Sequence, residues 1–347
     1  MQSPKMKYSF FVIVIAIVLI PFNIYAGTGI GKYAGEFISI GVGGRALGMG
    51  GAYTALANDV TAGYWNPAGL SKINYPQLSL MHSEQFGSLV NYDYAAVAIP
   101  FGSNSSIGLS IIRLGIDGIP DTRNAWVDEN GNGILDEDLV GSKITYFNAA
   151  DWAMYFTYSK KYNDNFSYGV NLKLIRREMS VGSATGLGFD IGVQYSPFEN
   201  ILLGANFQDA TTTLIAWNTG TNELISPTLK IGSAYIIEAL GGRFAPAFDI
   251  DVRFENRRSA SNLNLGPVSF DFHSGLEFDF KNVAALRVGY SDIGTVNFGA
   301  GVHLPKFDID YTFATSKLTD SRFDNTHRVS IIFTFESEQF ARNLHQR

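Results

Sequence analysis

The chain has 347 residues, 46% of them apolar and 14% aromatic, with a net charge of −6 and no cysteine. Without cysteine there are no disulfides, thiolate metal sites or thiol catalysis. The acidic balance, with no basic cluster against it, argues against a nucleic-acid partner. At the N-terminus Lys5 and Lys7 precede an unbroken apolar run from Phe10 to Ile20, and Ala26 supplies a small residue for cleavage. That order of charged, apolar and cleavage regions predicts a cleaved secretory signal peptide over residues 1–26. The run is shorter than the roughly 20 residues of a spanning helix; a retained N-terminal anchor is the alternative. The chain from Gly27 onward, about 320 residues, is long enough for two ordinary domains or one large barrel.

Small residues dominate the next stretch: Gly43, Gly44, Ala46, Gly48, Gly50, Gly51, Ala52, Ala55 and Ala57. So few side chains suit close packing of backbone in a confined space, and a glycine-rich surface loop is the plainer alternative. Ala52 to Ala57 fits one or two helical turns, Asn58-Asp59 is a stop signal, and Pro67 drives Asn66 out of the α region. The residues Gly44, Arg45, Ala46, Met49, Gly50, Gly51, Ala52 and Tyr53, then Asp59, then Trp65, Asn66, Pro67, Ala68, Gly69 and Leu70 resemble the N-terminal signature of the PorV/PorQ family. Those are outer-membrane proteins similar to the FadL long-chain fatty-acid channel. The resemblance implies that the segment 27–76 folds as a small hatch inside a β-barrel of fourteen strands.

After Pro76 the pattern settles to period two. Trp152, Met154, Phe156 and Tyr158 share one face, and Ala153, Tyr155, Thr157 and Ser159 the other. Leu187, Phe189, Ile191, Val193 and Tyr195 oppose Gly188, Asp190, Gly192 and Gln194; Phe248, Ile250, Val252 and Phe254 oppose Asp249, Asp251, Arg253 and Glu255. Phe270, Phe272, Phe278 and Phe280 oppose Asp271, His273, Glu277 and Asp279 in the same way. Fourteen such segments can be counted between residues 77 and 335, each near the length of a tilted membrane-spanning strand.

The connectors sort by parity. Those after even segments are short: Gly102–Ser105, Lys161–Asn165, Pro197–Asn200, Ala239–Arg243, Lys281-Asn282 and Pro305. The longest, Asp117–Ala149 and Ala210–Ser226, follow odd ones, though Asp292–Gly294, also after an odd one, is short. Outer-membrane barrels have short periplasmic turns and longer outer loops. Both termini then belong in the periplasm, with residues 336–347 as a periplasmic tail. Alternation alone also fits a soluble β-sandwich. Export, long strands and Asp and Arg in mid-strand favour an all-β, antiparallel transmembrane barrel with a polar lumen. In that barrel Phe189, Ile191, Val193, Phe248, Ile250, Phe270, Phe278, Ile309 and Phe313 face lipid. Asp190, Asp249, Asp271 and Asp308 face the lumen, with Arg253, Arg287 and Arg328 as charge partners.

Little in the sequence carries catalytic chemistry. His82, His273, His303, His327 and His345 lie far apart without metal-ligand spacing, and neither GxSxG nor a phosphate-cradling GxxxxGK[ST] occurs. No enzyme is expected. One loop motif does fit a ligand: Asp128, Asn130, Asn132, the Ile134 carbonyl and Asp136, with Asp138 or Glu137 in place of the absent bidentate Glu, where Leu139 stands. That spacing suits Ca2+, and Gly133 allows the sharp turn; an acidic Asn-Gly turn is the alternative. Calcium should protect this loop from protease nicking, and equal nicking in chelator would leave only a polar turn.

Three functions remain open. The PorV/PorQ resemblance implies a type IX secretion component that binds exported proteins or machinery subunits at the outer membrane. A FadL-like barrel would instead admit hydrophobic small molecules such as fatty acids and aromatics, and a purely structural barrel would do neither. In every case outer-membrane lipid is the surrounding partner. An apolar pocket above the hatch favours transport, whereas a charged, filled lumen favours a protein-binding scaffold.

Overall fold

The computed structural model describes residues 35–336, except 86, 124, 126–143, 181, 258–259, 293 and 317–324, together with 341–342. The signal-peptide region and the calcium motif at 128–139 therefore lie outside the described residues.

Among the described residues, strand segments run β1 (Gln77–Gln85), β2 (Val90–Phe101), β3 (Ser105–Asp121), β4 (Thr145–Lys161), β5 (Phe166–Met179) and β6 (Gly182–Phe198). Then come β7 (Ile201–Gln208), β8 (Thr213–Trp217), β9 (Asn222–Ile225), β10 (Thr228–Tyr235), β11 (Ile237–Ala239) and β12 (Gly242–Arg253). The series ends with β13 (Leu263–Leu265), β14 (Val268–Phe280), β15 (Ala284–Tyr290), β16 (Thr295–Leu304), β17 (Phe307–Ser316) and β18 (Thr326–Thr334). Each pairs antiparallel with its neighbours, and β1 pairs with β18, so no edge is left unpaired. β8 continues the line of β7, β9 and β11 extend β10 at its two ends, and β13 pairs with β14 beyond the end of β15. The result is a closed barrel of fourteen strands.

Two local expectations are corrected. Ala210–Ser226 is not an open loop, because β8 and β9 form a hairpin inside it. Its run Leu214-Ile215-Ala216-Trp217 alternates like a strand and buries Ile215 completely. Likewise β3 and β4 extend to Asp121 and from Thr145, shortening the connector read as Asp117–Ala149. In the hatch, Ala52–Ala57 is a single turn, closed by the Ala57 amide on the Tyr53 carbonyl, and the helices lie at Gly44–Gly48 and Ala62–Trp65. The Tyr53 and Thr54 amides, which have no partner within the turn they open, are taken by Asp249 of the wall at 3.0 and 2.8 Å.

The two faces of the wall fall as the alternation requires. Phe189, Ile191, Phe248 and Ile309 are exposed on the outside, whereas Asp190, Asp249, Asp251, Asp271 and Asp310 are buried inside. Ile250 lies in the middle of the outward row Phe244, Pro246, Phe248, Ile250, Val252 and Phe254. Ile250→Arg should therefore cost about 2–4 kcal/mol of stability in lipid. Unfolding by urea in vesicles measures this, and an unchanged midpoint would remove Ile250 from the lipid face.

Residues 341–342 pack at the end of the barrel where the hatch joins β1. Arg342 donates to the Ile73 carbonyl at 2.8 and 3.1 Å and to Ser106 Oγ at 2.6 Å, while its amide donates to the Asn74 carbonyl. One side chain so ties the exit of the hatch to the turn between β2 and β3.

Candidate functional site

The lumen is filled by the hatch, and glycines of the wall make the fit possible. On β5 and β6 the register partners Gly169 and Gly192 face Pro67 and Asn66: a Cβ on either would lie 2.4 Å from the Pro67 carbonyl carbon or 2.2 Å from Asn66 Oδ1. On β7 and β10 the partners Gly204 and Gly232 face Thr54, with the first such contact at 2.5 Å. On β14 and β15 the partners Gly275 and Gly289 face Met49 and Gly50, at 2.5 and 2.2 Å. Three glycine pairs spaced around the wall thus bring hatch backbone against strand backbone, which no side chain would permit.

Polar contacts fix the hatch between these seats. The Gly44 amide donates to Ser330 Oγ at 2.8 Å, and Thr312 Oγ1 donates to the Gly44 carbonyl at 2.6 Å. Arg45 forks onto Glu277 through Nε and Nη2, each at 2.8 Å, and its Nη1 donates to Asn58 Oδ1. Glu277 also accepts from Arg287 at 2.7 Å, which in turn holds Asp310 at 2.5 Å. Against the burial that would lower it, the Glu277 carboxylate keeps the Arg45 guanidinium well above its ordinary pKa. Within the hatch, Tyr53 donates its hydroxyl to Asp59, and Trp65 Nε1 donates to the Val42 carbonyl, both at 2.8 Å. Asn66 donates to the Thr54 and Val193 carbonyls, and the Ala68 carbonyl accepts from Ser159. Gly69 is required by the Ala57 carbonyl oxygen, 2.1 Å from where its Cβ would stand, and Leu70 packs at Gly108. Ala46, Met49 and Ala52 are fully buried, and Gly50 and Gly51 take φ of 66° and 85°.

Around this plug the lumen has two unlike halves. On β10 to β17 it is ionic: Lys230 pairs with Asp251, His273 Nε2 lies 3.5 Å from Asp251, and Arg253 and Arg257 both reach Asp271 at 3.1 Å. Of the expected charge partners, Arg253 and Arg287 pair with carboxylates, but Arg328 forms no ion pair among the described residues. On β2 to β8 the lumen carries an apolar and aromatic patch, Tyr94, Ile112, Tyr155, Ile175 and Ile215 in one buried cluster with Tyr64 and Trp65 of the hatch, flanked by ion groups at Lys173 and at Arg177 with Asp151 and Glu223. Tyr64 meets Trp65 and Tyr155 edge to face, at centroid distances of 4.9 and 6.1 Å. Thr157 and Ser159 are the hatch level of β4, so Tyr155, nearer the start of that strand, lies on the side of the plug toward the β3–β4 connection. A buried Lys173, held by Asp190 at 3.1 Å and Asp209 at 2.8 Å, closes this half toward β7.

Alternation puts Tyr155 on the face opposite Trp152, Met154, Phe156 and Tyr158, but the apolar patch is not legible in it, because its wall members come from five separate strands.

Comparison with known proteins agrees with this architecture. A model described as "Uncharacterised protein family (UPF0164)" matches residues 20–108. No curated protein sequence matches the chain significantly. Among solved structures, the CymD monoaromatic hydrocarbon channel superposes with a TM-score of 0.57 at 12% identity, over 86% of this chain and 98% of that one. The toluene transporter TbuX of Ralstonia pickettii gives 0.55 at 13% identity, over 85% and 99%. A FadL homologue from Pseudomonas aeruginosa gives 0.54 at 12%, over 85% and 98%. At such identities the likeness is one of architecture: the chain has the fold of the FadL-like channels, a fourteen-stranded barrel around an internal hatch.

Proposed function

We propose that the protein is an outer-membrane channel admitting hydrophobic small molecules, with no enzymatic step. The observation that carries this reading is the apolar patch of the lumen on the side of the hatch toward the β3–β4 connection. Tyr64, Trp65, Tyr94, Ile112, Tyr155, Ile175 and Ile215 offer rings and branched carbons to a molecule that gains by leaving water. The structural neighbours named for monoaromatic hydrocarbon and toluene support the same class.

Toluene entry into vesicles carrying the barrel tests it. Ile175→Glu replaces a branched carbon side chain with a carboxylate between Lys173 and Arg177 on the same strand face, and should slow entry several-fold because apolar surface that toluene would contact is lost. Entry no faster than through protein-free vesicles would end the reading.

The secretion reading rests on the hatch signature Gly44–Leu70 and gains one observation, the ionic half of the lumen. Exported proteins that co-purify with the intact barrel would favour it, together with absence of toluene entry. A calcium-ordered outer loop at 128–139 is compatible with either and is proposed from its sequence alone.

A further inference from the structure

Among the described residues, four of the buried polar groups without a hydrogen-bond partner lie together. Ser83 Oγ and Gln85 Nε2 on β1, Tyr92 OH on β2 and Arg328 Nε on β18 are buried without a hydrogen-bond partner. Ser83 is the register partner of Tyr92 on one side and of Arg328 on the other, so these three form one row across the seam where the barrel closes. Gln85 stands two residues further along the same inward face of β1. Ser83 and Tyr92 are 1% and 0% exposed, so water has no ready access to them.

The chemistry of the cluster has one sign. A guanidinium and a side-chain amide nitrogen can only donate, and the two hydroxyls can donate as well. The inward positions around them are Met81, Tyr94, Ile112, Leu114 and Ser330, none of them acidic. Three other inward Arg residues of the lumen wall, Arg177, Arg253 and Arg287, are each matched by a carboxylate. Leaving several buried donors unmet is costly, and an arriving acceptor would relieve that cost.

We infer that Ser83, Gln85, Tyr92 and Arg328 form a binding site for the carboxylate of an aromatic acid, whose ring rests in the adjoining apolar patch. A carboxylate offers two oxygens and about four lone pairs, enough for a guanidinium, an amide and two hydroxyls at once. The neighbouring surface supplies the ring's share: Tyr92 and Tyr94 stand on one strand face, and Ile112 is the register partner of Tyr94. The body selected is aromatic rather than a long chain, because the patch beside the donors is lined by tyrosine rings that prefer edge-to-face partners. This site rests on the channel reading but makes a separate claim, that a head group is recognised.

Benzoate, toluene and decanoate, each followed by binding and by entry into vesicles carrying the full mature chain, test it. Wild type should bind benzoate more tightly than decanoate. Arg328→Met and Ser83→Ala should each weaken benzoate roughly tenfold, the loss expected for one charge-assisted or buried hydrogen bond, and leave toluene entry within about twofold. Tyr92→Phe removes one oxygen at constant ring volume and should weaken benzoate without unfolding the barrel. Benzoate binding unchanged in all three variants, or decanoate held as tightly as benzoate, overturns the inference. If toluene enters but benzoate does not bind, only the carboxylate site fails; if neither enters, the channel reading fails with it.

Discussion

Gly289→Val is expected to unseat the hatch and convert a closed barrel into one that conducts ions. A Cβ at Gly289 would stand 2.2 Å from both the Gly50 amide nitrogen and the Met49 carbonyl carbon, and neither is the movable end of a side chain. The opposing surface is equally committed. A Cβ on Gly50 would lie 2.6 Å from the Tyr290 backbone, and its φ of 66° disfavours any other residue. Ordinary overpacking costs about 1–3 kcal/mol because side chains shift; here two backbones collide, so about 3 kcal/mol or more is expected. The hatch contributes no strand to the wall, so the barrel can close without it while the plug is displaced. Single-channel recording should show steady conductance in Gly289→Val and Gly50→Val but not in wild type, and trypsin should cut at Arg45. A silent, protease-resistant Gly289→Val barrel would mean that the glycine seats do not hold the plug.

The wall was legible in the sequence and its contents were only partly so. A strand exposes its side chains with period two, so Phe248, Ile250 and Val252 against Asp249 and Asp251 fixes a lipid face and a lumen face locally. Even the parity of connector lengths is a property of neighbouring residues. The seats are different in kind. Gly289 meets Gly50, and Gly192 meets Asn66, across more than a hundred residues of chain, and nothing local marks one glycine as a seat and another as a turn. For the same reason the donor row was hidden, since Ser83, Tyr92 and Arg328 become neighbours only when the last strand pairs with the first. Ala52–Ala57 is a mixed case. Its composition suits a helical turn and one forms, but Asp249 of the wall takes the amides of Tyr53 and Thr54 at its start, a contact that no local pattern shows.

Glu277→Ala should cost about 3–5 kcal/mol and loosen the hatch, the loss typical of removing one member of a buried ionic group. Glu277 is the shared acceptor between plug and wall: Arg45 brings it two bonds at 2.8 Å, and Arg287 brings a third at 2.7 Å. Without it, Arg287 keeps Asp310, but Arg45 is left with the Asn58 amide oxygen and a carboxylate of Asp59 at 3.9 Å. The damage is then an uncompensated cation more than a lost attraction, and this makes a second variant informative. Arg45→Met combined with Glu277→Leu removes both charges at similar volume, so it should be less costly than Glu277→Ala alone. Urea unfolding of both proteins in vesicles, with protease cleavage of the hatch followed in parallel, separates the cases. Should the double variant lose as much stability as Glu277→Ala, the ion group would be a true source of binding between hatch and barrel. Should Glu277→Ala lose less than about 1 kcal/mol, as an exposed pair would, the group would be too well hydrated to act as a latch. The expected ordering, single variant worse than double, assigns the latch a role in specificity. It fixes which face of the hatch meets β14 and β15, while the glycine seats supply the fit.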